Sequence, residues 1–241
     1  MNRIAVWHEV ECGGYAADLD VWERLARASD GWILELGCGS GRVALHLARV
    51  GHRVWAVDAE PALLEVLRSR ASAEGLPVHA DAADIRALDL GAHFGLVLAP
   101  MQVLQMLGGP VSRRRALRRA AGHLGPGGRV AAAILERPGS AIEGVGEAAI
   151  PDVREVDGWT YSSLAVTVRD DGDDLEIHRL RQVVSPEGAL SEEEYTERLD
   201  ALDAAGLEAE GAAVGLRRVT RLGVPATEGY LGSTVVVMEA A

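Results

Sequence analysis

Glu35, the glycines at 37, 39 and 41, and Asp58 are the residues of this chain whose types and spacing most directly suggest chemistry. Glycine at every second position lets the main chain turn sharply and approach a ligand with no Cβ in the way. No lysine or arginine lies between positions 35 and 41, so the loop suits a positively charged ligand at least as well as a pyrophosphate. The dinucleotide fingerprint GxGxxG, which leads a pyrophosphate onto the first turn of a helix, is spaced differently from the GxGxG here. Asp58 ends an apolar run at 54–57, and a carboxylate at that edge accepts hydrogen bonds from a ribose diol. Together these residues indicate a nucleoside-cofactor site, in which Cys38 presents backbone and a small side chain between two glycines.

The elements that must hold such a site are legible around it. Trp32 to Asp58 reads as apolar run, glycine turn, helical run and second apolar run, the unit of a parallel α/β sheet. We expect strands at 32–36, 54–57, near 78–80, at 94–98 and at 129–135. Helices are expected at 16–28, with Leu19, Trp22 and Leu25 on one face, at 41–50 before Gly51, from Pro61 to about Glu74, and from a Ser112 cap to Leu124. Ligands of open α/β sheets collect at the C-terminal strand edge. That puts Ala99 and Pro100, whose carbonyls can face an ammonium, and Met101 and Gln102 beside the reacting centre. Met101 also suits plain core filling.

ILELGCGSGR followed by VWAVD, then HADAADI at 79–85, FGLVLAP at 94–100 and LGPGGRV at 124–130, resembles the class I S-adenosylmethionine-dependent methyltransferases, with the landmarks in order. The resemblance runs over roughly residues 15 to 135 and does not specify a methyl acceptor. It implies S-adenosylmethionine as cofactor, held by Glu35, Gly37, Cys38, Gly39 and Gly41, by Asp58 with Ala59 at the ribose, and by Ala99 and Met101. It also implies Asp81 and Ala82 beside the adenine. Asp84 supports the same loop or caps a helix. Related small-molecule enzymes often carry Asn or Ser near position 102 and His near 106, where this chain has Gln102 and Met106. The implied reaction is attack by an oxygen, nitrogen or carbon of a small metabolite on the sulfonium methyl, driven mainly by alignment and exclusion of water.

The remaining segments suggest a cover. Residues 1–30 read as a helical lid, with Trp7, Glu9, Glu11 and Tyr15 as contributors; 31–137 as the cofactor core; 138–190 as an active-site roof; and 191–241 as completion of the core. The glycine-rich stretch at 138–149 reads as a mobile crossing, and DDGDD at 170–174 as the tip of an antiparallel hairpin. That hairpin roofs the pocket or forms a homodimer contact. Tyr15, Met101, Gln102, Trp159, Tyr161, His178 and Arg181 are the acceptor-site candidates, with Tyr161 and His178 as candidate general bases; sheet packing also accounts for the four roof residues. Ser191-Glu192-Glu193-Glu194 reads as a helix start continuing to Ala205 before Gly206, followed by strands near 207–213 and at 233–238. The expected class is α/β: a Rossmann-like parallel sheet with flanking helices, an antiparallel C-terminal strand and an antiparallel hairpin insertion.

At 241 residues and a formal net charge of −12, the chain has room for a large core and a field that repels phosphate backbones. Arg113, Arg114, Arg115, Arg118 and Arg119 share a helix with apolar residues and read as a solvated face, so a small-molecule partner is expected rather than nucleic acid. Arg217, Arg218 and Arg221 suit either the surface or an acidic substrate. No apolar run reaches membrane-spanning length and the N-terminus lacks a secretory segment, so a cytoplasmic protein is expected. Cys12 and Cys38 form no CxxC, and the seven histidines show no close ligand spacing, so no metal is expected. The competing readings are a noncatalytic adenosyl-cofactor-binding or regulatory protein, and an NAD-dependent oxidoreductase.

Overall fold

A computed structural model describes residues 2–136, 150–227 and 230–241. Helices α1 (Arg3–Cys12) and α2 (Leu19–Arg27) precede an alternating run of β1 (Ile33–Leu36), α3 (Arg42–Arg49), β2 (Val54–Asp58), α4 (Pro61–Glu74) and β3 (Val78–Ala82). The run continues through β4 (Phe94–Ala99), α5 (Pro110–Gly122) and β5 (Leu124–Ile134). Local chemistry sets these boundaries. In α4, Pro61 needs no N–H partner in the first turn, the Glu60 carboxylate accepts from the Ala62 N–H, and Gly75 closes the helix at φ 64°. Helix α5 starts at Pro110 after Gly109 rather than at the expected Ser112 cap.

Seven strands form one sheet in the order β10-β11-β5-β4-β1-β2-β3, where β10 spans Leu216–Val224 and β11 spans Ser233–Ala240. β1 to β5 run parallel, and β11 is antiparallel to both β5 and β10. The chain moves outward from β1 to β3 and then returns to β4 on the other side of β1. Strand order therefore reverses between β1 and β4, which opens a crevice at their C-terminal ends. β1 is buried along its whole length, with Ile33 in the core beneath α2, α3 and α4 and Leu34 and Leu36 in the core beneath α5. Each such fully buried leucine contributes roughly 1.5–3 kcal/mol. Among the described residues no helix is long and apolar enough to cross a membrane.

The second half departs from the expected elements. A four-stranded antiparallel sheet, β6 (Asp152–Val156), β7 (Trp159–Asp170), β8 (Asp174–Val184) and β9 (Leu190–Asp200), contains the expected hairpin. The acidic stretch from Ser191 is therefore a strand, not a helix; β9 pairs with β8 from Val184↔Leu190 to Asp174↔Asp200. A helix-start signal is weak against eleven paired residues, and a charged edge strand is a common defence against edge-to-edge association. The helix comes later, as α6 (Ala204–Ala212), so the expected strand at 207–213 is helical and Gly206 lies inside the helix instead of ending it. Asp203 caps α6 by accepting from the Gly206 N–H at 2.7 Å. The glycine-rich stretch at 138–149 lies outside the described residues.

The α5 arginines are also not uniformly solvated. Arg113 is 4% exposed and paired with Glu210 and Asp200, which ties α5 to α6 and to the end of β9. Arg115, Arg118 and Arg119 are exposed, as expected for a helix face turned to water. Arg217 and Arg221 on β10 pair with Glu239 and Glu208.

Candidate functional site

The glycine loop leaves β1 at the crevice and is sewn to the end of β2. The Cys38 N–H donates to the Val57 carbonyl at 3.0 Å, and the Gly39 N–H donates to Asp58 Oδ2 at 2.8 Å. The other Asp58 oxygen accepts from the Glu60 N–H at 2.9 Å. Two backbone donors thus fix the carboxylate at the strand end, and the side chain still lines the cavity with acceptor capacity to spare. Gly39 has φ 55°, and a Cβ there would collide with the His8 imidazole. Gly37, at φ 64°, would strike Val103. The absence of a Cβ at these two positions is what lets His8 and Val103 pack directly against the loop's main chain.

Glu35 lies beneath this loop, 2% exposed, and also reaches the cavity. Burial pushes its pKa up to about 8, against the nearby charge of Arg42 and a hydrogen bond from the Ala44 N–H. Arg42 does not neutralise it because that guanidinium is committed elsewhere, donating to both oxygens of Asp18 and to the Tyr15 carbonyl. Glu35 Oε2 is left buried without a hydrogen-bond partner, an exception among buried polar atoms.

On the other side of the crevice, β4 ends at Ala99 and Pro100, and Met101 adopts φ 53°. A left-handed backbone at a non-glycine residue costs of order 1–3 kcal/mol and concentrates at ligand sites. Pro100, Met101 and Gln102 line the cavity; Ala99 is fully buried behind them. Gln105 anchors the following turn by bonding to Leu135 through both ends of its amide and to the Asp200 carbonyl.

Helix α1 and the β6–β9 sheet close the space from above. Val6, Trp7 and Val10 pack on Val156, Tyr161 and Val183, while Ile4, His8, Glu11 and Cys12 fall at helical spacing along the cavity. Glu11 holds Arg181 with two hydrogen bonds of 2.7 and 2.8 Å, and the guanidinium stacks over Trp7 and Tyr195 at 4.9 and 3.5 Å from their ring centroids. The cavity has a volume of about 910 Å³, within the range of ligand pockets. A second depression of about 620 Å³ beside Arg115, Arg118 and His93 touches no residue of the glycine loop.

Of the residues expected at the site, Glu35, Gly37, Cys38, Asp58, Ala59, Met101, Gln102 and Arg181 share this one cavity. Gly39 and Gly41 shape the loop from behind. Asp81 faces away, accepting from Trp55 Nε1 at 2.9 Å, and Ala82 follows it on β3, whereas Ala83, Asp84 and Ile85 line the wall. Asp84 caps its own turn by accepting from the Arg86 N–H and pairs with the Arg86 guanidinium.

Four acceptor-site candidates are not brought to the wall. Tyr15 is buried against Tyr230, and Tyr161 packs edge-on against Trp7 at 5.5 Å. Trp159 is 41% exposed at the start of β7. His178 lies on the opposite face from Arg179 and Arg181, because β8 alternates, and meets Thr196 there at 3.1 Å. Sequence reasoning missed His8, Tyr195 and Glu197, which line the cavity. The alternation Glu193, Tyr195, Glu197 was the available signal, masked by the helix-start pattern.

A family model described as a methyltransferase domain matches residues 33–128, the segment that builds the loop, Asp58 and the β4 wall. Over those residues the chain is similar to a methyltransferase domain. A ubiquinone biosynthesis O-methyltransferase of Methylobacterium sp. (strain 4-46) is 30% identical over 136 residues, covering 56% of this chain and 52% of that protein. This chain spans between 28% and 52% of the length of the six curated relatives it matches. Among solved structures, DesVI of Streptomyces venezuelae aligns with TM-score 0.76 at 21% identity, covering 99% of this chain and 97% of that one. CalS10, an amino pentose methyltransferase of Micromonospora echinaspora solved with S-adenosylmethionine bound, gives 0.74 at 22%, covering 98% and 97%. At such identities the structural likeness is one of fold over nearly the whole chain, the roof included.

Proposed function

We propose that this protein transfers a methyl group from S-adenosylmethionine to a small molecule bound between the glycine loop and the roof. The observation that carries this reading is a single cavity whose walls include Glu35, Gly37, Asp58 and Ala59 on one side and Arg181, Tyr195 and Glu197 on the other. The residues suit the cofactor. The unpartnered Glu35 Oε2 awaits a donor such as an α-ammonium, Asp58 has free acceptor capacity for ribose hydroxyls, and Gly37 presents main chain to the cavity. For Asp81 and Ala82 the resemblance supports a place near the adenine, with Ala83 to Ile85 nearer the cavity.

When bound, S-adenosylmethionine supplies an electrophilic methyl carbon on sulfonium, which leaves S-adenosylhomocysteine after transfer. This chain's residues hold and align the partners. Pro100 and Met101 shape the wall at the strand-order reversal, Gln102 offers an amide to orient the acceptor, and α1 with the roof excludes water. The net charge of −12 further supports a small molecule over a nucleic acid.

The acceptor wall favours a basic nitrogen. Glu11, Asp84 and Glu193 already pair with Arg181, Arg86 and Arg3, while Glu194 and Glu197 also face the cavity. Burial holds the Glu197 pKa above the usual carboxylate range despite Arg179 and Arg181 nearby, so an amine that enters as its cation meets a carboxylate able to take its proton, and the neutral amine left behind carries the lone pair that attacks the methyl. The likeness to an amino pentose methyltransferase points the same way. Incubation with methyl-labelled S-adenosylmethionine and matched amine and alcohol acceptors, read by mass spectrometry, tests both readings. A single added methyl on the amine supports them. Tight cofactor binding with no transfer to any acceptor would instead support a binding or regulatory protein.

A further inference from the structure

Ser40, in the middle of the glycine loop, is 1% exposed, and its hydroxyl meets two consecutive residues of α1. Glu9 Oε1 accepts from Ser40 Oγ, and His8 Nδ1 lies 3.2 Å from the same oxygen. The hydroxyl has one proton. An ionised Glu9 only accepts, so that proton goes to Glu9, and Ser40 Oγ must accept from a protonated His8 Nδ1. This assigns the tautomer and leaves Nε2 as the acceptor end of the ring, on the side facing Gly39 and the cavity.

Glu9 is held in its ionised form by the groups around it. It is 4% exposed and burial alone would raise its pKa, but hydrogen bonds from Arg70 and Ser40 and the charges of Arg70 and Arg154 outweigh that and hold it low. Arg70 comes from α4 and donates at 2.8 and 2.5 Å; Arg154 comes from β6. One carboxylate of the lid therefore joins the cofactor loop, the core and the roof. If α1 undocks, Ser40 loses both partners, and Arg70 and Arg154 lose this shared partner.

We propose that His8 and Glu9 are positioning residues that hold the glycine loop in its cofactor-binding shape through Ser40, so that cofactor occupancy and docking of α1 form one coupled equilibrium. This rests on the cofactor reading above. A ligand that needs the ordered loop must favour the docked helix, and by reciprocity the docked helix tightens the ligand. His8 adds a direct contact, since its Nε2 is poised to accept from a ribose hydroxyl or an ammonium at Gly39.

Hydrogen exchange of the full-length protein, with and without S-adenosylhomocysteine, reads the coupling. Bound S-adenosylhomocysteine should slow exchange in residues 3–12 about tenfold or more in the wild type. In Ser40→Ala that slowing should largely vanish and calorimetric Kd should rise about tenfold, with α4 and β11 exchange unchanged. A purely structural link would raise α1 exchange equally with and without ligand. Glu9→Gln, which keeps the shape but breaks the ion pairs, should behave like Ser40→Ala and serves if that variant does not fold. Normal ligand binding with no change in α1 exchange overturns the proposal alone. Failure of the wild type to bind S-adenosylhomocysteine overturns the cofactor reading and this proposal with it.

Discussion

Replacing Glu35 by glutamine preserves the shape of the side chain beneath the glycine loop and removes its ability to ionise. In the folded protein Glu35 has a pKa of about 8, against an ordinary value of 4.5. Because the folded value is the higher one, stability from the neutral carboxyl is fully present below pH 4.5 and is lost as pH rises towards 8. At 1.36 kcal/mol per unit the whole difference is roughly 5 kcal/mol, an order-of-magnitude upper figure. Urea unfolding of wild type and Glu35→Gln at pH 5 and pH 8 isolates this one group, since all other titrations cancel in the difference. The variant should gain on the wild type as pH rises.

Cofactor binding supplies the second half of the experiment. An ammonium docked on Oε2 favours the carboxylate, so S-adenosylhomocysteine should expel most of a proton at pH 7, about 0.9 for a pKa of about 8. Calorimetry in buffers of different ionisation enthalpy counts that proton, and Glu35→Gln should bind more weakly and release none. Parallel pH–stability curves, together with proton-neutral binding by the wild type, would refute the argument that Glu35 is a neutral acid waiting for a cation.

Other outcomes follow from the same geometry. Gly39→Ala forces a Cβ into the His8 imidazole at φ 55°, and should weaken S-adenosylhomocysteine binding by at least about tenfold by calorimetry. Arg113→Ala leaves Glu210 and Asp200 without their shared guanidinium, and should cost about 3–5 kcal/mol in urea unfolding. Arg181→Ala removes the cation between Trp7 and Tyr195, and should raise the acceptor KM about tenfold in steady-state kinetics while changing S-adenosylhomocysteine affinity less.

The glycine-loop side of the cavity was readable because its parts are local. Glu35 lies on β1, which ends directly before the 37–41 loop, and Asp58 ends the neighbouring strand, as the parallel register of Glu35↔Ala56 and Leu36↔Val57 requires. The lid and roof were not readable in the same way because their determinants are distant. Arg154 reaches Glu9 across 145 positions and Arg113 reaches Glu210 across 97, so the one residue looked like any strand arginine and the other like part of a solvated helix. Parity decided the rest. On β8, Arg181 faces α1 while His178 turns outward, and a period-two pattern does not reveal which face is covered until the covering element is known. On β9, alternation was present in Glu193, Tyr195 and Glu197, but a run of three glutamates after a serine carries the stronger local signal for a helix start.

The most direct measurement is a calorimetric titration of the full chain with S-adenosylhomocysteine, alongside NAD and the Asp58→Ala variant. The account expects one molecule bound per chain, no comparable uptake of NAD, and affinity lowered at least about tenfold when the Asp58 carboxylate is removed. No uptake of S-adenosylhomocysteine by the folded wild type, or equal uptake by Asp58→Ala, would contradict it.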